Sequence, residues 1–367
     1  MNYLFELGHQ PHISIAELQA VLLSTSDFVN KDNKYLIVEL DKEIKAEKLM
    51  NQLGGIIKIG EEIKQTGDNV KTIVSFLAKN NTGKIHFSVP DKKMGIAVKK
   101  ELKSLGRSVR YVEPKNAATI LHNNLIEKQG DFTIVDNKTF VTVALQPFEE
   151  MKKRDYSRPG IDEFSGMLTP KLSKIMINLA QITPKQTLLD PFCGSGTVLT
   201  EALNMGYKNI IGADISEKAV VDTEKNIEWL KDTNQLEGIT YKLYHNDATQ
   251  IHNQINPSSV DAIVAEPYMG TPLRGNEKVE TLEKQTGELA ELYIGAFKAF
   301  RKILKTGGIA IFIIPQFKQG EDWIKIDCVE DIKDIGFKLV PFEKDDSLLY
   351  HRPKQHLGRS IWRFRKK

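Results

Sequence analysis

The chain predicts an α/β protein: a parallel sheet in its second half, preceded by a separate α+β region. Three observations carry this. Beyond residue 170, apolar strands alternate with helical stretches, the pattern of a parallel sheet flanked by helices. Four of those strands end on an acid, at Asp190, Asp214, Asp247 and Glu266. Residues 1–148 alternate strands and helices without any recognisable cofactor motif.

In order, Tyr3–Leu7 is the first strand, and Ser14 with Glu17 three residues on reads as a capping box opening a helix. A strand at Tyr35–Leu40 is followed by a helix over 43–53, closed at Gly54-Gly55. These elements predict an α+β subdomain over 1–65. A second, over 66–148, has a helix at 70–78, a strand at Lys84–Val89 and a basic helix at 94–105 closed by Gly106. Strand Ser108–Val112, a helix over 116–128 and strands Asp131–Val135 and Thr139–Leu145 complete it. Residues 149–165 read as a charged linker ending in Ser157-Arg158-Pro159-Gly160 and a few residues beyond. The last domain spans 166–367, with Thr169 and Pro170 opening its first helix.

The run Leu188-Leu189-Asp190-Pro191-Phe192-Cys193-Gly194-Ser195-Gly196-Thr197-Val198 carries the most chemistry. A strand ends in an acid, turns through Gly-Ser-Gly and enters a helix near Thr197. Glycines let the backbone approach a ligand, and the helix start offers unpaired N–H groups. No Lys follows, which excludes a phosphate-binding P-loop, and the third glycine of a dinucleotide motif is missing. An acid here suits a ligand with an ammonium group, such as S-adenosylmethionine (SAM). Asp214 ends the next strand about 20 residues on, where ribose hydroxyls are read in nucleotide-binding folds. Asp247 ends the third and suits an adenine amino group. The fourth runs into Glu266-Pro267-Tyr268-Met269-Gly270. Acids at successive strand ends make a ligand edge.

With 41% hydrophobic and 27% charged residues the composition is that of a globular protein. No apolar run reaches membrane length and no signal-peptide pattern opens the chain, so a cytoplasmic location is expected. Cys193 and Cys328 are the only cysteines, which predicts neither a disulfide framework nor a metal site. The net charge of +3 alone argues for no partner. Three local clusters do: Lys99, Lys100, Arg107, Arg110 and Lys115 with their neighbours; Lys152, Lys153, Arg154 and Arg158; and Arg352, Lys354 and Arg359 with the basic tail. Together they could line a track for a phosphate backbone, and each alone reads better as a solvated face.

The order Asp190-Pro191-Phe192-Cys193-Gly194-Ser195-Gly196-Thr197, Ala213-Asp214-Ile215-Ser216, Asn246-Asp247-Ala248 and Glu266-Pro267-Tyr268 resembles Rossmann-like class I SAM-dependent methyltransferases acting on exocyclic amines. Phe164–Leu172 resembles the upstream motif that closes the SAM pocket in those enzymes. The whole chain resembles the THUMP-containing tRNA guanine-N2 methyltransferases of the branch acting on guanosine 10, the N-terminal half by layout more than by motif. The resemblance implies SAM held by Pro170, Asp190, Phe192, Cys193, Gly194, Gly196, Thr197, Asp214, Ile215, Asp247 and Ala248. It implies Glu266 and Pro267 orienting the amine, Tyr268 stacking on the base, a THUMP-like RNA-binding region and tRNA as partner. It also implies a monomer, with room for a small activator protein. The family usually carries Asp-Pro-Pro-Tyr where this chain has Glu266-Pro267-Tyr268-Met269, and the alignment can be made on Pro-Tyr or on the acid and Gly270. A DNA or ribosomal RNA amino-methyltransferase and a non-catalytic SAM- or RNA-binding homologue are the alternatives. DNA enzymes of the β type place the Pro-Tyr motif before the glycine loop, and here it follows.

Overall fold

The computed structural model describes residues 1–22, 28–31, 33–161, 168–273, 275, 277–320, 322–343, 345–353 and 355–367. The chain divides into two compact units, 1–15 with 24–147 and 16–23 with 148–367. Among the described residues the first holds eight strands: β1 (Asn2–Leu7), β2 (Phe28–Lys31), β3 (Tyr35–Glu39), β4 (Ile56–Glu62), β5 (Ile85–Phe87), β6 (Val109–Tyr111), β7 (Phe132–Val135) and β8 (Lys138–Leu145). β5 and β6 pair in parallel, and the other six form one antiparallel sheet in the order β2-β3-β1-β4-β8-β7. β4 is hydrogen-bonded to β8, so the expected boundary at residue 65 runs through a continuous sheet.

Two amphipathic helices cover the β5–β6 pair. Asp68 caps Asn69–Asn80 by accepting from Lys71 N at 2.8 Å, and Asp91 caps Lys92–Ser104 through Met94 N, also at 2.8 Å. Their buried faces, Ile73, Leu77, Val98 and Leu102, join Ile85 and Phe87 in one core. Two expectations are corrected here. The first helix begins at Pro11, not beyond Ser14, whose hydroxyl instead donates to Gly55 O at 2.8 Å. The helix expected over 116–128 stops at His122, where Asn123 leaves helical geometry and Asn124 turns to φ +52°.

The second unit holds β9 (Thr187–Asp190), β10 (Asn209–Asp214), β11 (Thr240–His245), β12 (Val260–Ala265), β13 (Leu304–Gln319), β14 (Asp322–Lys325), β15 (Phe337–Leu339), β16 (Ser347–His351) and β17 (Leu357–Lys366). The sheet order is β11-β10-β9-β12-β13-β17-β15, with β14 on β13 and β16 on β17. The first five strands in that order are parallel, β17 runs antiparallel to β13, and β15, antiparallel to β17, returns to the direction of the first five. The chain works outward from β9 to β11, then returns to lay β12 on the other side of β9. That reversal opens a crevice at the carboxyl ends of β9 and β12, the ligand position of open α/β sheets. Among the described residues no helix is long and apolar enough to cross a membrane.

The helix Val279–Ile303 packs Tyr293, Phe297 and Phe300 against Phe312 of β13. Phe297 meets Phe312, Phe337 and Phe364 nearly edge-on at 5.1–5.2 Å. Each such pair adds about 0.5–1.5 kcal/mol beyond area burial. The expected linker contains a helix, Phe148–Tyr156, that belongs to this unit and buries Met151 and Arg154. Glu17 does not serve a capping box: fully buried, it accepts from Asn178 Nδ2 at 2.7 Å.

Candidate active site

β9 delivers Asp190 to the edge of the crevice, 2% exposed. Its Oδ1 accepts from Phe192 N at 3.0 Å. Burial pushes this carboxyl well above the usual carboxylate range, with Asp214 and Glu266 adding to the effect. The chain then turns: Gly196 N donates to Cys193 O at 2.7 Å, and Gly194 and Gly196 take φ +51° and +80°. At Gly196 any Cβ would lie 2.8 Å from Thr223 Cγ2, so only glycine fits. The helix Thr197–Asn204 follows at once. Cys193 is 5% exposed, and burial pushes its thiol up, which removes it as a nucleophile.

Three side chains that sequence reasoning did not place hold this loop. Thr223 donates to Gly194 O at 2.8 Å. Asn226 donates to Ser195 O at 2.8 Å and Gly160 O at 2.7 Å, and accepts from Gly160 N at 2.7 Å. Arg158 donates to Thr197 Oγ1 at 2.6 Å and Ser195 Oγ at 3.0 Å. All three lie deep, Arg158 at 3% exposure. The spacing of Thr223 and Asn226 on one helix was the only signal available for those two.

Asp214 ends β10 with both oxygens engaged, Oδ2 by Gly194 N and Oδ1 by Ser216 N, each at 2.9 Å. It therefore ties the second strand end to the loop of the first. Ile215 beside it is 71% exposed, an apolar surface beside a ring of acids. Asp247 caps the 3₁₀ turn Ala248–Asn253 by accepting from Thr249 N and Oγ1, both at 2.8 Å. Ala248 is buried, and Asn246 Oδ1 is buried without a hydrogen-bond partner. Pro170 is buried in the first turn of the helix Pro170–Leu179, capped by Thr169. The upstream motif at 164–167 lies outside the described residues.

β12 ends at Ala265, and Glu266 follows with its side chain 12% exposed. Its Oε1 accepts from Arg359 Nε at 2.6 Å. Arg359 reaches it from β17 across β13, where Ala265 lies opposite Phe312 and Arg359 opposite Pro315. Burial pushes the Glu266 carboxyl up, and the guanidinium pulls it part of the way back. Pro267 is buried, while the Tyr268 ring is 59% exposed. Tyr293 Oη donates to Tyr268 O at 2.7 Å and fixes the backbone there. Gly270 turns at φ +90°, where a Cβ would sit 2.5 Å from Gln285 Nε2. Acid, carbonyls and an exposed aromatic thus share the crevice mouth with the Asp190 loop.

The basic residues divide. Lys100, Arg110 and Lys115 are exposed and Lys99 is half-buried. Arg107 is committed to the C-terminal end of Asn69–Asn80, donating to Ala78 O at 2.9 Å and to Asn81 O. Arg154, expected on RNA, is 7% exposed and donates to both Glu201 oxygens at 2.6 and 3.2 Å. Arg158 and Arg359 are likewise taken up by buried polar partners, so the junction and tail clusters contribute fewer free cations than the sequence suggests. Arg352 is exposed, its Nε donating to Tyr350 Oη at 3.0 Å. Lys354 lies outside the described residues.

Residues 159–333 match the RMKL-like methyltransferase domain family, and residues 23–225 match a DNA methylase family. Both matches include the glycine loop and the Asp214 strand end. A tRNA (guanine(10)-N2)-dimethyltransferase from Methanocaldococcus jannaschii is 31% identical over 50% of this chain and 48% of its own length, so the chain spans about half of that relative. One from Pyrococcus abyssi is 26% identical over 93% of this chain and 94% of its own. A probable tRNA (guanine(10)-N2)-dimethyltransferase from Methanothermococcus thermolithotrophicus is 32% identical over 32% of this chain and 72% of its own. The crystal structure of TrmN from Thermus thermophilus shares the fold at TM-score 0.54 and 15% identity, covering all of both chains. The last of these tRNA (guanine(10)-N2)-dimethyltransferase relatives, 32% identical and covered over 72% of its length, places the chain in the tRNA (guanine(10)-N2)-dimethyltransferase family.

Proposed function

We propose that this protein transfers a methyl group from SAM to the exocyclic N2 amine of a guanosine in tRNA. The observation that carries the reading is Glu266: one carboxylate oxygen pinned by Arg359, the other without a hydrogen-bond partner among the described residues, at the strand end beside the Asp190 loop. An exocyclic amine on a purine is a poor nucleophile because its lone pair is delocalised into the ring. Acceptors on its N–H groups hold the nitrogen in line with the donor methyl and favour the transition state. Glu266 Oε2 is one such acceptor, and a carbonyl near Pro267 is a second. The exposed ring of Tyr268 offers a surface on which an extruded base stacks.

The residues present fit SAM. Asp190 Oδ2 has no partner among the described residues and answers an ammonium, and Ile215 presents an apolar face to a ring beside Asp214 and Asp247. SAM, when bound, would supply a methyl on a sulfonium, whose S–CH3 bond would break as the N–CH3 bond forms, leaving a thioether and one amine proton lost to solvent. The chain's part is to hold both ends of the transfer. Residues 1–148, with a THUMP-like layout over 66–148, bring the tRNA through Lys99, Lys100, Arg110 and Lys115; within the second unit Arg352 is an exposed cation available to RNA. Methylation of a DNA amine is the second reading, favoured by the DNA methylase match. Nucleoside mass spectrometry after incubation with SAM and either tRNA or duplex DNA separates the two. N2-methylguanosine from tRNA, lost in Glu266→Ala while SAM affinity stays, is the expected result; methylated adenine or cytosine from DNA alone overturns it.

A further inference from the structure

The Glu266–Arg359 pair presents a row of hydrogen-bonding groups, and we propose that this row reads the Watson–Crick edge of guanine, with Arg359 as the specificity residue. The inference rests on the functional reading above. Arg359 spends only Nε on Glu266; its two η nitrogens make no hydrogen bond among the described residues. The side chains of Arg359 and Glu266 are 10% and 12% exposed, so the row is largely desolvated. Running along it, Glu266 Oε2 accepts, Oε1 accepts again through its second lone pair, and an Arg359 η nitrogen donates. Guanine presents, starting at the amine, an N2–H donor, an N1–H donor and the O6 acceptor. That order matches position for position. Adenine gives donor then acceptor and has nothing polar at the third place. Cytosine gives donor, acceptor, acceptor, which sets its N3 lone pair against Oε1. Uracil has no amine. Guanine alone of the four bases satisfies all three groups, and a row of buried charged groups left unpaired rejects the others strongly.

The pair is fixed before any base arrives. β17 holds Arg359 in register with Pro315 of β13, and β12 ends one residue before Glu266. A preformed donor–acceptor row of this kind needs no rearrangement to discriminate.

The test uses the full chain and ligated tRNAs carrying, at the target nucleotide, either guanosine or 2,6-diaminopurine. The second base keeps the reacting N2 amine but replaces O6 by an amino group and N1–H by an acceptor. Wild type should favour guanosine in kcat/KM by about 100-fold or more. Arg359→Met should collapse that ratio to within about 10-fold, and Arg359→Lys, which keeps the charge but not the fork, should fall between. A general loss of Glu266 positioning would lower both substrates equally and leave the ratio unchanged, which would overturn the proposal. A wild-type ratio near one overturns it without any variant. Should Arg359→Met fail to fold, inhibition of wild type by an inosine-containing tRNA stands in. Inosine keeps O6 and N1–H, so it should compete at least 10-fold better than a purine-riboside tRNA lacking O6; equal competition overturns the reading. No transfer to the guanosine tRNA itself defeats the functional assignment, and with it this inference.

Discussion

Glu201→Leu should destabilise the protein by about 3–5 kcal/mol, the cost of stranding a buried charge. The numbers come from its surroundings. Arg154 donates to both Glu201 oxygens at 2.6 and 3.2 Å, with side chains 8% and 0% exposed. Lys174, 1% exposed, is a second cation that Glu201 stabilises. Without Glu201, Arg154 cannot recover its hydration, whereas Lys174 keeps Glu17 and Glu150 nearby. An exposed pair of the same geometry would be worth only about 0.2–1 kcal/mol. Removing both charges, as Arg154→Met with Glu201→Leu, should restore stability to within about 2 kcal/mol of wild type, because apolar replacement avoids the desolvation penalty. Urea unfolding of the full chain followed by circular dichroism gives the four corners of the cycle, compared at constant m. A loss below about 1 kcal/mol for Glu201→Leu, or a double variant no better than the single, refutes the reasoning. The same variants test Arg154 as an RNA contact: the slope of tRNA affinity against salt should not change in Arg154→Met.

Lys99, Lys100 and Arg110 are the contrast, and neutralising all three should flatten that salt slope by about 2–3 in log units per log salt, through lost counterion release; an unchanged slope returns them to solvated surface. Asn226→Ala removes three buried hydrogen bonds between Gly160, Ser195 and helix Glu217–Asn234, so SAM affinity measured by calorimetry should fall at least tenfold; wild-type affinity would show that the loop holds itself. Glu266 offers acceptors on both oxygens only when ionised, and its raised pKa means that form is lost on acidification sooner than for an ordinary glutamate near 4.5. The acid limb of kcat/KM should therefore lie above that value and move higher still in Arg359→Met; a limb that stays put removes Arg359 from the electrostatics of the site.

The sequence by itself determined the parallel sheet, the order of its strands along the chain and the residues at their ends. These are local facts. Apolar runs of strand length, a Gly-Ser-Gly turn after Asp190 and caps such as Thr169 and Ser216 depend on neighbours a few residues apart; β9 and β10 end on Asp190 and Asp214, while β11 stops at His245, two residues before Asp247, and β12 at Ala265, one before Glu266. Tertiary structure decided what the charged residues do. A lysine or arginine in a sequence reads the same whether it faces water or a carboxylate, because the partner is far away in the chain. Arg154 meets Glu201 after 47 residues and Arg359 meets Glu266 after 93, across an intervening strand. Burial then makes pairing obligatory: a desolvated cation must find an acid or a carbonyl. Thus Arg158 became a brace for the glycine loop, Arg107 a helix cap and Arg359 the partner of Glu266. The boundary at residue 65 lay beyond local reading for the same reason, since β8 pairs with β4 across more than seventy residues and makes one sheet of two apparent subdomains.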